Sequence, residues 1–461
     1  MLKMKKSFPF LLFCLLSLAA FPQVARENNW KFGYYAGVDF TGGVPVYDTS
    51  AMYTAEGVAT ISDLSGNLLF YTNGNMVYDR NHVQMPNGIS LGGSSISAQS
   101  AVIVPVPGNA QQYYIFTVTD WMVTTAQLQY SIVDMTLNGG MGDVSAVQNI
   151  LLPSNAREQL AAIAHTNGQD AWVLCHVKND SVFHAYRITP AGVDSVPVAS
   201  AAGMIYSGNN RYGSLHFSHN CQKLVSVLGS ASTVGVTVQL FDFDAGTGIV
   251  SNPVTVALWS QVPTAYGAEF SPNDTRLYVT SFTENYIQQF DLTSANIPAS
   301  MVNVSDSIND DKSNLLLGPD NKIYISMRSR NYMNVILYPD SLGQACTMQD
   351  SAVMFPSYAR CALGFPNFMR QPCIPTSVKE VTAENSLSVY PNPAQGVIHL
   401  RCHSSSKAVL SIYTTHGRLV SVQPFSETVS VAPLTNGIYF IKVEEENKMP
   451  LVCRFVKISD R

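Results

Sequence analysis

The chain has 461 residues, 13% of them charged and 46% hydrophobic, with a formal net charge of −5. A mildly acidic chain without a Lys/Arg cluster argues against a nucleic-acid partner and against docking on anionic membrane. Plentiful Gly, Ser, Thr, Asn, Tyr and Val is the composition of an extracellular all-β protein, with strands built from β-branched and aromatic residues and turns from Gly, Asn and Pro.

The chain opens with Lys3, Lys5 and Lys6, followed by an uncharged apolar run from Phe8 to Phe21 that contains Ala19-Ala20. This order predicts a secretory signal peptide over 1–22, cut between Ala20 and Ala25. The run is roughly 14 residues, against roughly 20 for a membrane helix, and no second run follows, so no transmembrane anchor is expected. Without Cys14 the chain keeps Cys175, Cys221, Cys346, Cys361, Cys373, Cys402 and Cys453, an odd number. An oxidising envelope permits disulfides, and the crowding of Cys346, Cys361 and Cys373 predicts one pair among them. Cys402 and Cys453 are candidates to face each other nearer the C-terminus. No pair has the spacing of a zinc site.

The body, 27–373, repeats itself. Its clearest unit is Tyr266-Gly-Ala-Glu-Phe-Ser-Pro-Asn-Asp-Thr-Arg-Leu-Tyr-Val-Thr280 followed by Ile287-Gln-Gln-Phe-Asp-Leu292. A strand ends in a Ser-Pro-Asn-Asp turn, a second strand alternates outward, and a third closes the unit. Copies begin at Tyr212 and Ser313, weaker ones near Val58, Ala101 and Ala161, and Leu363-Gly-Phe-Pro-Asn-Phe368 reads as the first strand of one more. A spacing of roughly 40–60 residues with several short strands per unit predicts a β-propeller. A blade with two apolar faces must be covered by its neighbours, and a closed ring leaves few exposed edges. Six units plus the Leu363 fragment, completed by Trp30-Lys-Phe-Gly-Tyr-Tyr-Ala-Gly-Val-Asp-Phe40, make seven blades, with six as the alternative. Two β-sandwiches would also fit regular strand spacing.

No catalytic or cofactor fingerprint stands in the chain: no G-x-S-x-G, H-E-x-x-H, P-loop or G-x-G-x-x-G. No catalytic residue, cofactor or firm metal site is therefore assigned. His165, His176, His184, His216 and His219 gather in the third and fourth units and read as strand histidines. Asp306, Asp310 and Asp311 share an oxygen-rich loop, the only weak candidates for a calcium site, although the loop lacks the Asp-x-Asp-x-Asp-Gly pattern. Trp121, Trp172 and Trp259 would serve equally as a sugar-stacking platform or as core between blades.

After a Pro/Thr/Glu-containing linker, 374–385, the segment 386–461 forms a small module. Tyr390-Pro-Asn-Pro393 fixes a rigid turn, because each proline locks φ. Val409-Leu-Ser-Ile-Tyr413 and Ile438-Tyr-Phe-Ile-Lys-Val443 alternate as strands with one buried face. Gly417 and Gly437 are placed where hairpins need positive φ or close backbone approach. With Leu434-Thr-Asn-Gly-Ile-Tyr439 and Phe455-Val-Lys457, the module resembles the type A C-terminal sorting domain of the type IX secretion system of Bacteroidetes. The resemblance implies an Ig-like β-sandwich recognised by the outer-membrane translocon through Tyr390, Pro391, Asn392, Pro393, Gly417, Gly437, Tyr439 and Lys457. It also implies removal of the module within the linker.

Trp30-Lys-Phe-Gly33, Ile61 to Gly74, Met85-Pro-Asn-Gly88 and Tyr113-Tyr-Ile-Phe-Thr117 resemble the opening of Bacteroidetes WD40-like surface propellers, and Leu363 to Phe368 resembles their closing motif. That family is defined by architecture, so it implies fold and not activity. Asp-Ser followed by a small or aliphatic residue occurs at Ser181, Ser195, Ser307, Ser341 and Ser351, where about one would arise by chance. All five are expected in turns. The tripeptide resembles the acceptor of the Bacteroidetes O-glycosylation system, which makes these serines candidate glycosylation sites. The expectation is a secreted or outer-surface propeller that binds a protein or glycan through its loops. An extracellular hydrolase or lyase acting on polysaccharide or peptide is the alternative, marked by buried acids or histidines gathered at one mouth of the ring.

Overall fold

The computed structural model describes residues 24–120, 122–123, 125–205, 210–230, 237–258, 265–281, 286–305, 311–371, 387–401, 408–414, 418–445 and 451–459. The chain divides into two compact units, one ending at Ile374 and one beginning at Pro375. Both are all-β. No helix among the described residues is long and apolar enough to cross a membrane.

Among its described residues the first unit is a succession of seven small antiparallel sheets, each a meander in chain order except that Ile150–Leu152 of the third pairs back on Leu128–Asp134 and Val198–Ala201 of the fourth on Val182–Thr189. Their first strands are Asn29–Phe32, Ala59–Ser62, Ala101–Pro105, Ala156–Ala164, Asn210–Phe217, Ala265–Phe270 and Lys312–Leu317. Apolar side chains on both faces explain why no sheet stands alone. Ile61, Phe70 and Val77 of the second sheet share a core with Ile103, Ile115 and Val133 of the third. Val104 and Phe116 of the third meet Leu160 and Val173 of the fourth, and Leu174 and Phe183 of the fourth meet Leu224 and Phe241 of the fifth. The fifth packs on the sixth through Val227, Leu240 and Phe270, and the sixth on the seventh through Tyr278, Ile287 and Ile325. The last core joins Trp30, Phe32 and Val38 of the first sheet both to Tyr324, Met333 and Val335 of the seventh and to Tyr71 of the second. The sheets thus close into a β-propeller-like ring, with each apolar face covered by a neighbour. Trp30 anchors the closure, 4.8 Å from Phe40, 5.7 Å from Tyr324 and 5.4 Å from Phe365 between ring centroids.

The segment Leu363–Phe368 forms no strand. It belongs instead to a connector, Ala362–Gln371, that runs through the middle of the ring. Ser326 donates to the Ala362 carbonyl at 2.7 Å, and Asn367 donates its side-chain amide to Leu160 at 2.7 Å and Ala101 at 3.2 Å. The Arg370 amide donates to Ala162 at 2.8 Å and its carbonyl accepts from Ala164 at 2.9 Å. Pro366 lacks an amide hydrogen, and Gly364 lies against the Glu56–Gly57 backbone so closely that a Cβ would come within 2.5 Å. Both features suit a threaded connector better than a ladder strand.

The predicted cysteine pairs do not form. Cys346, Cys361 and Cys453 are free, as is Cys175. Cys221 is disulfide-bonded, and its sulfur lies 3.6 Å from the Gln371 carbonyl at the end of the connector. Cys346 and Cys361 are instead fully enclosed in apolar cores, where a thiol packs as a small hydrophobe.

The second unit has two sheets. Ser388–Tyr390, Val397–Arg401 and Thr428–Ser430 form one, and Leu419–Pro424, Val409–Thr414, Gly437–Glu444 and Leu451–Lys457 form the other. Ile398, Leu400, Leu410, Ile412, Ile441, Val443 and Phe455 fill one core between them. The alternating burial of Gly437–Glu444 is the one-faced strand pattern expected from its sequence.

Candidate ligand pocket and the polar centre of the ring

A pocket of about 400 Å³ opens beside the first two sheets, lined by Ala51, Tyr53, Asn73, Asn75, Met76, Tyr78, Gly93, Ser94 and Ser95. Its floor is the turn between Leu68–Thr72 and Val77–Asp79. Asn73 Oδ1 accepts from the amides of Asn75 at 3.0 Å and Met76 at 2.9 Å, which shapes that turn. Gly74 takes a φ of +84°, and a Cβ on Gly93 would sit 2.7 Å from the Gly74 carbonyl, so two glycines let the strands' loops touch. Asn75 donates its side-chain amide to the Leu91 carbonyl at 3.2 Å.

The aromatic walls are fixed from behind. Tyr53 stacks on Tyr34 with centroids 4.5 Å apart and planes 29° from parallel, and Tyr35 tilts against it at 5.7 Å. Tyr78 stacks on Tyr71 at 5.2 Å and 14°, and its hydroxyl meets the Met76 sulfur at 3.3 Å. Burial, then the neighbouring Tyr35, pushes the Tyr78 hydroxyl pKa upward, so it stays a neutral donor. Tyr53 is 63% and Tyr35 42% exposed. Tyr35 also holds a φ of +59°, uncommon for a bulky residue and seen mostly where surrounding structure imposes it.

The middle of the ring is polar. Gln99 accepts from the amides of Leu160 at 3.1 Å and Leu215 at 2.7 Å and donates to Leu215 at 2.9 Å. Glu158, wholly buried with a φ of +63°, accepts from the Ala98 amide at 2.7 Å. Glu56 accepts from the Tyr266 hydroxyl at 3.3 Å; burial drives its pKa up to about 8, against the lowering effect of that hydroxyl. Around Arg370, Glu269 receives the Phe270 amide at 2.9 Å and the Leu317 amide at 3.1 Å. The Arg370 guanidinium lies 3.6 Å away and His219 4.0 Å away. Burial raises Glu269, opposed mainly by Arg370, and lifts Glu27 to about 7 with Arg370 again opposing. Burial, then the same cation, holds His216 down at about 3, neutral, with Nε2 unpartnered among the described residues. Glu27, Glu269 and His219 thus gather around Arg370. Backbone amides and Arg370 occupy Glu269 on both oxygens, the arrangement of a tie between strands and connector.

Other sequence candidates scatter. Trp172 is core, not platform: 3% exposed, it donates to the Ala245 carbonyl at 2.9 Å beneath Gly248. His165 stacks on Trp172, His176 meets Phe183 edge-on, and His184 bonds Ser154 at 3.2 Å. Asp311 pairs with Arg328 at 3.5 Å. No group of three or more His, Cys, Asp or Glu fit for a metal ion occurs among the described residues. Ser195 is exposed, and Ser181 and Ser341 are half-buried. Ser351 is exposed but lies inside the strand Met348–Met354 rather than in a turn, at a φ of +52° where the ladder bulges. Trp121, Trp259, Asp306, Ser307, Asp310 and Gly417 lie outside the described residues, as do the signal segment and the linker.

In the second unit Asn392 ties the Tyr390-Pro-Asn-Pro393 turn to the last strand. It accepts from the Val456 amide at 2.9 Å and donates to the Arg454 carbonyl at 3.2 Å. Tyr439 is buried against Phe455 and donates to the Thr435 carbonyl at 2.9 Å, while the buried Lys457 caps the Ile458 carbonyl at 2.8 Å. Gly437 is not a required glycine. Its φ is not positive, and a Cβ would meet only the Tyr439 ring at an ordinary 3.7 Å.

Residues 388–457 match the family described as the secretion system C-terminal sorting domain. The chain is exported. This type IX sorting module directs it to the cell surface or the medium. No curated protein matches the chain in sequence. Among solved structures it is similar to hydrazine synthase of Kuenenia stuttgartiensis (12% identity, 62% of this chain and 76% of that one, TM-score 0.37). It is also similar to regucalcin, a calcium-binding protein of Agrobacterium tumefaciens (11%, 56% and 74%, 0.34), and to a chain of the nidogen–laminin complex (10%, 68% and 100%, 0.38). The architecture of the body rests on its own strand pairing, not on these likenesses.

Proposed function

We propose that the protein is a Bacteroidetes surface or secreted binding protein: a seven-bladed, WD40-like β-propeller, 27–373, that presents loops to an extracellular protein or glycan. In this reading a signal peptide over 1–22 carries the chain across the inner membrane. The Ig-like module 386–461 then engages the type IX translocon through Tyr390 to Pro393, Tyr439 and Lys457, and is cut off within 374–385. Ser181, Ser195, Ser307, Ser341 and Ser351 serve as O-glycan acceptors on the exported body, which the exposure of Ser195 and Ser351 supports. The observation that carries the binding role is the pocket beside the first two sheets: it has aromatic and amide walls and no carboxylate, histidine or cation in its lining.

Hydrolase or lyase activity is a second reading, supported by the gathering of Glu27, Glu269 and His219 around Arg370. One experiment separates them. The native host is fractionated, the ends and serines of the mature chain are mapped by mass spectrometry, and the purified protein is offered surface glycans and proteins. Extracellular protein lacking the module, which binds without turnover, is the expected result. An intact Arg461 on periplasmic protein, or release of product from a bound polymer, would overturn it.

A further inference from the structure

We propose that the pocket beside the first two sheets binds a neutral sugar residue of an extracellular glycan, an inference that rests on the binding reading and names its ligand class. Size comes first. At about 400 Å³ it falls at the small end of the roughly 300–1,000 Å³ typical of small-molecule sites. Charge comes next. Its nine lining residues include no Asp, Glu, Lys, Arg or His, so an ionic ligand would lose hydration without gaining a counter-charge.

The walls then select the chemistry. A pyranose has an apolar face of C–H groups and a rim of hydroxyls that both donate and accept. Tyr53 and Tyr78 supply flat apolar faces, each locked by a second tyrosine stacked behind it, so little side-chain freedom is lost when a ring settles on them. The amides complement the rim. Asn73 uses Oδ1 on the turn, which leaves its NH₂ to donate; Asn75 uses its NH₂ on Leu91, which leaves Oδ1 to accept. Ser94 and Ser95 complete a polar edge. The strained Tyr35 beside Tyr53 extends the aromatic surface outward, where a longer glycan would continue.

The test uses the full chain on an array of neutral hexose, N-acetylhexosamine and deoxyhexose oligomers alongside sialylated and sulfated ones, followed by calorimetric titration of soluble hits. The expected result is binding to a neutral oligomer that falls at least tenfold in Tyr53→Ala and in Asn75→Ala, while Tyr53→Phe stays within threefold. Tyr53 is largely exposed but stacks on Tyr34, so Tyr53→Ala should lower the melting temperature only slightly, and a folded variant is confirmed by circular dichroism before titration. Binding of acidic glycans alone, or neutral binding that both alanine variants retain, overturns the proposal. Capture of a surface protein with no glycan bound also overturns it but leaves the binding reading standing. Release of reducing ends by a chain whose neutral-glycan affinity depends on Tyr53 sinks the binding reading and supports the sugar site.

Discussion

Glu56 gives the sharpest quantitative test of the polar centre. It is 7% exposed, and burial lifts its pKa from 4.5 to about 8. The folded protein therefore keeps a proton that the unfolded chain releases. Stability from this group is complete below about pH 4.5 and is lost as pH rises to about 8, because the unfolded state binds fewer protons across that window. At about 1.4 kcal/mol per pKa unit, the loss reaches about 5 kcal/mol as an upper figure. Glu56→Gln removes the titration but keeps an oxygen to accept from the Tyr266 hydroxyl. Urea unfolding, followed by near-ultraviolet circular dichroism at half-unit steps from pH 4.5 to 9, should find the two proteins within about 1 kcal/mol at the acidic end. The variant should then gain about 3–5 kcal/mol relative to the parent by pH 8.5. Glu27 and Glu269 titrate in both proteins and cancel in the difference. Parallel stability profiles would refute the reasoning, since they would mean Glu56 is ionised in the fold and solvated or paired by groups other than Tyr266.

Four further outcomes follow from packing and hydrogen bonding. Gly57→Ala should lower body stability by about 1–3 kcal/mol or more, because its Cβ would come 2.4 Å from the Ser100 amide nitrogen and 2.7 Å from two carbonyl oxygens. Gly396→Ala, with nothing within 4 Å, should stay within about 0.5 kcal/mol in the same melt. Thiol alkylation of the native protein should modify Cys453 and spare Cys175 and Cys361, both buried with pKa values pushed to about 12. Cys221 should react only after reduction and unfolding, and labelling of native Cys175 would show that the fourth sheet opens. Asn392→Ala removes two hydrogen bonds to the last strand, so the sorting unit should lose about 1–2 kcal/mol and export should fall; unchanged secretion would detach that tie from sorting.

Residues whose partners lie close in sequence were legible in advance. Alternation along Tyr266 to Thr280 and the Ser-Pro-Asn-Asp turn within it predict a hairpin, and the strands Ala265–Phe270 and Arg276–Ser281 pair around that turn. The tail shows the same locality in Ile438 to Val443, which alternates in burial, whereas Val409 to Tyr413 departs from the expected one-faced strand by burying Leu410, Ser411 and Ile412 in succession. Residues whose meaning comes from distant partners were not legible. Asn367 bonds Ala101 and Leu160, more than two hundred positions earlier, and no local pattern distinguishes a threaded connector from a short strand containing Gly364 and Pro366. Gln99, Glu158 and Glu56 each occur once, so the repeat that announces the sheets is silent about the polar groups between them. Of the two readings open to the tryptophans, core or sugar platform, Trp172 takes the first, because an indole buries well between sheets. The exposed aromatic surface is made instead by Tyr35 and Tyr53, in loops where only a positive φ and a stacked neighbour mark them out. Sheets that cover each other's faces leave only their inner edges and connecting loops for polar and aromatic side chains, and at those places a single copy of a residue, not the repeat, decides what the protein can hold.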